Sequence, residues 1–213
     1  MGTFKMIDII PTLLVLFYAT HMAGKNGTKK TLIKWTTISM SFAAAVIVFM
    51  TLIDPTQISV AAVPTVIFVI LVSGFHACMI ATAACTQAMI PDIADYEFDK
   101  TGNYMPGTVA AVYAFIDKAI SSFGATIVAV SIASIGYATV QPQPGDTATP
   151  AIFWMGMFIW MGLPIIGYIL SLIALKFYPL DREKMVEVQQ NNQKYRGAAA
   201  IEASLDKSKN ISG

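Results

Sequence analysis

The chain has 213 residues, of which 55% are apolar and only 13% charged, with a formal net charge of +1. A soluble chain carries about 25% charged residues, and the deficit here lies in long apolar runs, which points to a protein that crosses a membrane several times. The net charge says nothing about nucleic acid, but no basic stripe with interleaved aromatics occurs, and no nucleic-acid partner is expected.

The expected fold class is all-α, a polytopic membrane helix bundle of about five transmembrane helices over residues 1–180, followed by a polar tail over 181–213. Each span needs about 20 apolar residues. The first runs from Met6 to Ala23; it is too polar at Asp8, Pro11 and Thr12 for a signal peptide, and no small-residue cleavage site follows. The turn GKNGTKK, residues 24–30, leads into the second span, Leu32 to Ile53. Asp54-Pro55 stops that helix, since proline lacks a donor and disfavours helix in the residue before it.

The third span, Ser59 to Ile90, is long enough to tilt or to project beyond the lipid, and Pro91 marks its expected end. A polar hairpin over 91–106 follows. Gly107 opens the fourth span, which continues to Val140. The loop QPQPGDTAT, residues 141–149, has turn chemistry and no cation. The fifth span covers Pro150 to Tyr178, with Trp154 and Trp160 as interface anchors, and Pro179 ends it. The tail is expected to start with an amphipathic turn and finish as a disordered stretch rich in Lys, Ser and Asn.

Cys78 and Cys85 lie seven apart on one face of the third span, about 10 Å along the axis. That is too far for a disulfide, so they read as small apolar core residues. His21 and His76 have no partner at metal-ligand spacing. No nucleophile elbow, phosphate loop or metal-ligand cluster occurs, so an enzyme is not expected, and no cofactor is implied.

Placement of lysine and arginine sets the orientation. With five spans, twelve of the fourteen basic residues fall on one side, in the 24–34 turn, at Lys100 and along the tail. The two opposite loops have none. The 91–106 hairpin and the C-terminus are therefore expected in the cytoplasm and the N-terminus outside, in a multi-pass cell (inner) membrane protein.

The chemistry gathers between Asp92 and Lys118, which holds four of the nine aspartates. Lys118 lies about 16 Å from Gly107 at helical rise, near mid-bilayer, where a lysine costs about 2.5–3.5 kcal/mol. It reads as a substrate- or ion-pathway residue whose countercharge comes from another helix, or as a structural ion pair locking two helices. Asp117 is its neighbour in sequence, but adjacent helical residues point about 100° apart. Asp92 and Asp95 share a face if the third helix continues past Pro91, and read either as interhelix ion pairs or as solvated carboxylates. Gln87, Thr86 and Thr82 could line a cavity. Ser121, Ala125, Ala129 and Ala133 form a small-residue stripe suited to close helix packing.

Several pieces in order resemble the glycoside–pentoside–hexuronide:cation symporters, the melibiose-permease branch of the major facilitator superfamily. Asp92-Ile93-Ala94-Asp95-Tyr96 matches the D-x-x-D-Y signature that closes the tenth helix of that family. Lys100-Thr101-Gly102 and Gly107 match the K-T-G…G spacing after it. Lys118 falls where the eleventh helix carries a lysine, Ile135-Gly136-Tyr137 matches a helix-end I-G-Y, and Phe177-Tyr178-Pro179-Leu180 matches the start of the tail. The GKNGTKK turn resembles the basic loop between the eighth and ninth helices.

The resemblance implies the last five of twelve helices, and symport of a sugar or glycoside with Na⁺ or H⁺ as coupling cation. The missing N-terminal half would supply most of the cation and sugar contacts. Lys118, with Asp117 and Gln87, would lie on the substrate and ion pathway. Asp92, Asp95, Tyr96, Lys100, Gly102 and Gly107 would form the cytoplasmic gate. Ala83 stands about where the melibiose permease has a sugar-facing tryptophan, and Asn103, Tyr104 and Pro106 replace charged residues, which implies a thinner charge network. Expected partners are the lipid bilayer, a sugar or glycoside and the missing half. The alternative is a non-transporting membrane subunit that binds a partner membrane protein.

Overall fold

The computed structural model describes residues 2–55, 58, 60–137 and 149–211, with side chains between residues 9 and 197 of those ranges. Its elements are α1 (Gly2–Asn26), α2 (Thr28–Leu52), α3 (Ala62–Thr101), α4 (Pro106–Ser134), α5 (Pro150–Met157), α6 (Leu163–Phe177) and α7 (Arg182–Ile211), with no strand among the described residues. A π-helical turn, Phe158–Gly162, joins α5 to α6, so the expected fifth span is one rod. By length and composition, α2, α3, α4 and the α5–α6 rod can each cross a membrane. The first expected span lies on α1, a helix of 25 residues. The chain is thus a multi-pass helical membrane protein.

The long central helix α3 carries the bundle, packing against α1, α2, α4 and α7. Between α1, α2 and α3 lies one apolar core, with Leu32 and Trp35 facing Cys78, Ala81, Cys85 and Met89. Both cysteines are buried and free, as their spacing suggested. A second core joins α2 and α3 to the π turn through Ala43, Val46, Phe75, Met157 and Met161. Ser39, fully buried, donates to the Tyr168 hydroxyl at 3.0 Å and ties α2 to α6. The π turn has a local cause. Pro164 cannot donate back along the helix, and the Leu163 amide reaches Phe158 O, five residues back, so the wider turn takes up the broken ladder.

Three expectations need correction. Pro91 does not end the third helix, which runs on to Thr101 and reaches 40 residues. Proline deletes one donor and crowds one carbonyl, and a helix anchored on both sides of it tolerates that defect. At about 60 Å, α3 is twice as long as a bilayer core is thick, so its last turns project beyond the lipid. The hairpin consequently shrinks to a short turn, Gly102–Met105. Second, the tail is not an amphipathic turn followed by disorder: it is helical as α7 to Ile211. Asp181 caps it by accepting from the Lys184 amide at 2.9 Å, and Glu183 lies in the first turn, which suits the helix dipole. Third, α4 stops at Ser134 rather than Val140. The 141–149 loop lies outside the described residues apart from Thr149, whose hydroxyl caps α5.

Candidate functional site

Two places compete for function: the projecting end of α3, and the middle of α4. At the first, Asp92 and Asp95 do share a face because the helix passes through Pro91. The Thr28 hydroxyl, at the start of α2, donates to Asp92 Oδ2 at 2.8 Å. Beside it, the Lys29 ammonium donates to the Tyr178 carbonyl just past α6. These contacts bring the α1–α2 turn, the end of α3 and the end of α6 to one end of the bundle. That is where the basic residues were expected to gather. Asp92 also edges an open cavity of about 510 Å³ between α1, α3 and the start of α7, lined further by Thr20, Thr28, Ala88, Arg182 and Gln189.

The helix α7 is clamped along this end of α3. Leu180, Met185 and Val188 are buried against Ile93, Tyr96 and Tyr178. One turn on, buried Asn192 donates through Nδ2 to the Asp95 carbonyl at 2.9 Å. Beyond it Arg196 reaches three groups. Its Nη2 is 3.9 Å from Asp95 Oδ1, and its guanidinium stands 5.3 Å from the Tyr104 ring and 5.9 Å from the Phe98 ring. Lys100 lies over the Tyr96 ring at 5.8 Å. Gly102 caps α3 in the left-handed region, φ 73°, which glycine adopts without a Cβ clash. Tyr178, beyond the last span, is half-buried with its hydroxyl unpartnered; burial, reinforced by the Asp92 charge, pushes its pKa up to about 12.

The second place is barer. Lys118 and Asp117 are both exposed on α4, a 29-residue apolar helix with no buried residue. Among the described residues no ion pair reaches Lys118. The main packing partner of α4 is α3, and Gln87 Nε2 donates to the Tyr113 hydroxyl between them at 3.4 Å. Gly107, the second residue of α4, is exposed with open space around it. Gln87 therefore faces α4, whereas Thr82 and Thr86 line a different cavity of about 380 Å³ with Thr36, Pro164 and Tyr168. The expected polar wall splits between two sides of α3.

Asp92, Asp95, Tyr96, Lys100 and Gly102 are thus brought together, while Lys118, Asp117 and Gly107 stand apart on α4. Thr28, Asn192 and Arg196 were missed as partners. A signal existed for two of them: Met185, Val188, Asn192 and Arg196 recur at three- and four-residue steps, the stripe of a docked helix. Among the described residues no group of three His, Cys, Asp or Glu side chains is placed to hold a metal ion.

A multi-helix membrane protein with a braced signature at one end and a bare lysine mid-helix is the class that these observations define. The model of the MFS/sugar transport protein family matches residues 1–182, and the chain belongs to that family. Among curated relatives, an uncharacterized symporter of Bacillus subtilis (strain 168), YnaJ, is 32% identical over 111 residues, which is 50% of this chain and 23% of that protein. The sodium-dependent lysophosphatidylcholine symporter 1 of Mus musculus is 30% identical over 117 residues, 55% of this chain and 21% of that protein. The chain therefore covers under a quarter of the length of either relative. No solved structure matches significantly.

Proposed function

We propose that this chain is the C-terminal portion of a secondary transporter that moves a sugar or glycoside together with Na⁺ or H⁺. The observation that carries the reading is Lys118, an exposed cation in mid-helix on an apolar span that has no buried residue. A lysine near the bilayer centre costs about 2.5–3.5 kcal/mol unless it meets an acid or an aqueous cavity. In secondary transporters the substrate and ion sit near the midplane between two halves that rock against each other. Lys118 would hold countercharge from the other half and so link ion occupancy to sugar binding, with Asp117 and Gln87 on the same pathway.

Asp92, Asp95, Tyr96, Lys100, Gly102 and Gly107 would form the gate at the cytoplasmic end, in a cell (inner) membrane protein. The mouse relative is named for sodium, which favours Na⁺ over H⁺; the same name carries a lysophospholipid in place of a sugar. A non-transporting subunit that covers α4 with a partner membrane protein is the second reading, and the uncovered apolar face of α4 favours it equally.

Accumulation of a panel of labelled sugars and of labelled lysophosphatidylcholine by the whole membrane protein that contains these helices, with and without Na⁺, tests this. Na⁺-dependent accumulation of at least one sugar or glycoside is expected. Lysophosphatidylcholine accumulation alone moves the substrate class. No accumulation of any compound by protein present in the membrane sinks the transporter reading in favour of the subunit.

A further inference from the structure

We propose that the groove between the end of α1, the first two turns of α2 and the start of α7 holds the phosphate of an anionic lipid headgroup. The groove has a volume of about 290 Å³ and is lined by Met22, Asn26, Lys30, Lys34 and Arg182. Three of its five lining residues are cations and none is an acid. Among the described residues no ion pair reaches Lys30, Lys34 or Arg182, and the one polar contact in the groove is Lys34 Nζ with Met22 Sδ at 3.9 Å. The neighbouring acid, Asp181, accepts from the Lys184 amide through Oδ1 and does not line the groove.

The arrangement is costly as it stands. Lys30 and Lys34 are four apart on one helix face, where like charges repel, and the first turn of α2 contains no acid to offset them. The fold nonetheless brings Arg182 to the same groove. Gly27, at φ 88°, allows the α1–α2 turn to abut α7 so closely that an added Cβ would stand 3.0 Å from Arg182 Cβ. A phosphate between the three cations removes the repulsion. The source follows from position: α2 is a membrane span, and its first turns lie where the apolar run meets the headgroup layer. Basic pockets between helix ends at that level suit anionic headgroups. Met22, buried in the core, gives the groove one apolar wall. The inference stands on the membrane-spanning fold alone, independent of what is transported.

Native mass spectrometry of the purified protein, equilibrated with phosphatidylglycerol or with phosphatidylcholine, tests the assignment. Phosphatidylglycerol should be retained in preference to phosphatidylcholine. Each of Lys30→Gln, Lys34→Gln and Arg182→Gln should lower that retention about fivefold, and the triple variant should lower it on the order of a hundredfold. Lys30→Arg with Lys34→Arg, which keeps the charge, should retain the lipid and so separates loss of charge from loss of fold. Lys194→Gln, an equal charge removed elsewhere, should change nothing. Equal retention of the two lipids, or equal loss with Lys194→Gln, overturns the proposal. Displacement of the lipid by millimolar inorganic phosphate gives the groove to free phosphate and overturns the lipid assignment; undiminished retention supports it.

Discussion

The end of α3 and the middle of α4 carry the two halves of one sequence signature, yet they are built in opposite ways. At the α3 end, Asp92 and Asp95 are met within the chain, by Thr28 and by Asn192 and Arg196 of α7, over a dry core of Leu180, Met185 and Val188. On α4, Phe115, Ile120 and Phe123 are 65–74% exposed, and the charges at positions 117 and 118 face outward beside them. The first region is finished by its own helices and behaves as a structural clamp. The second presents a surface that only lipid or another protein can complete. The difference teaches that the D-x-x-D-Y stretch is engaged by the chain's own helices, whereas Lys118 is the charge left open on the surface.

The largest expected effect is on that side. In the transporter containing these helices, Lys118→Ala should lower coupled uptake at least about a hundredfold with expression intact: under the proposed pairing with an acid outside this chain, loss of one partner of a buried charge pair would cost about 3–5 kcal/mol. Wild-type accumulation in that variant would show that α4 is only a lipid-facing helix. The next effect belongs to the clamp. Val188→Ala, at a fully buried position, should destabilise the docking of α7 by about 2 kcal/mol, read as faster hydrogen exchange along α7. Phe115→Ala, at a residue 74% exposed, should change the stability of the isolated chain by less than about 0.5 kcal/mol. Equal losses in the two variants would erase the contrast between the regions.

How much of this the sequence disclosed follows from the range of each signal. Long apolar runs identify spans directly, and the burial of both cysteines follows from a seven-residue step on one helix face. The continuation through Pro91 was hidden because a proline reads locally as a stop, while its tolerance depends on contacts far along the chain, at Thr28 and Asn192. The helix α7 was hidden for the same reason. Its polar composition says disorder, and only the four-residue rhythm from Met185 to Arg196, matched to the face of α3, says otherwise. Lys118 was legible because a charge in an apolar run needs no tertiary knowledge to stand out.

A smaller effect sharpens the account of the clamp itself. Arg196→Ala removes a long ion pair and two ring contacts at an exposed site, worth about 0.5–1 kcal/mol together, and should loosen the last turns of α7 without releasing Met185 or Val188. Loss of exchange protection along the whole of α7 would show that the polar contacts, and not the apolar ones, hold it.

The smallest effect at neutral pH is at Tyr178, whose hydroxyl has no partner where it is buried. Tyr178→Phe removes an unsatisfied polar group rather than a bond, so stability at pH 8 should stay level or rise slightly. The alkaline range separates the variants. Burial lifts the phenol from 10.0 to about 12, so the fold favours the protonated form. Its contribution is fully present below pH 10 and disappears as pH climbs through 12, because ionisation then pulls the ring out of the clamp. The wild type should therefore lose thermal stability over that window more steeply than Tyr178→Phe. Parallel alkaline losses in the two proteins would mean that the phenol is already solvated and that the clamp between α6, α7 and Asp92 is open at that end.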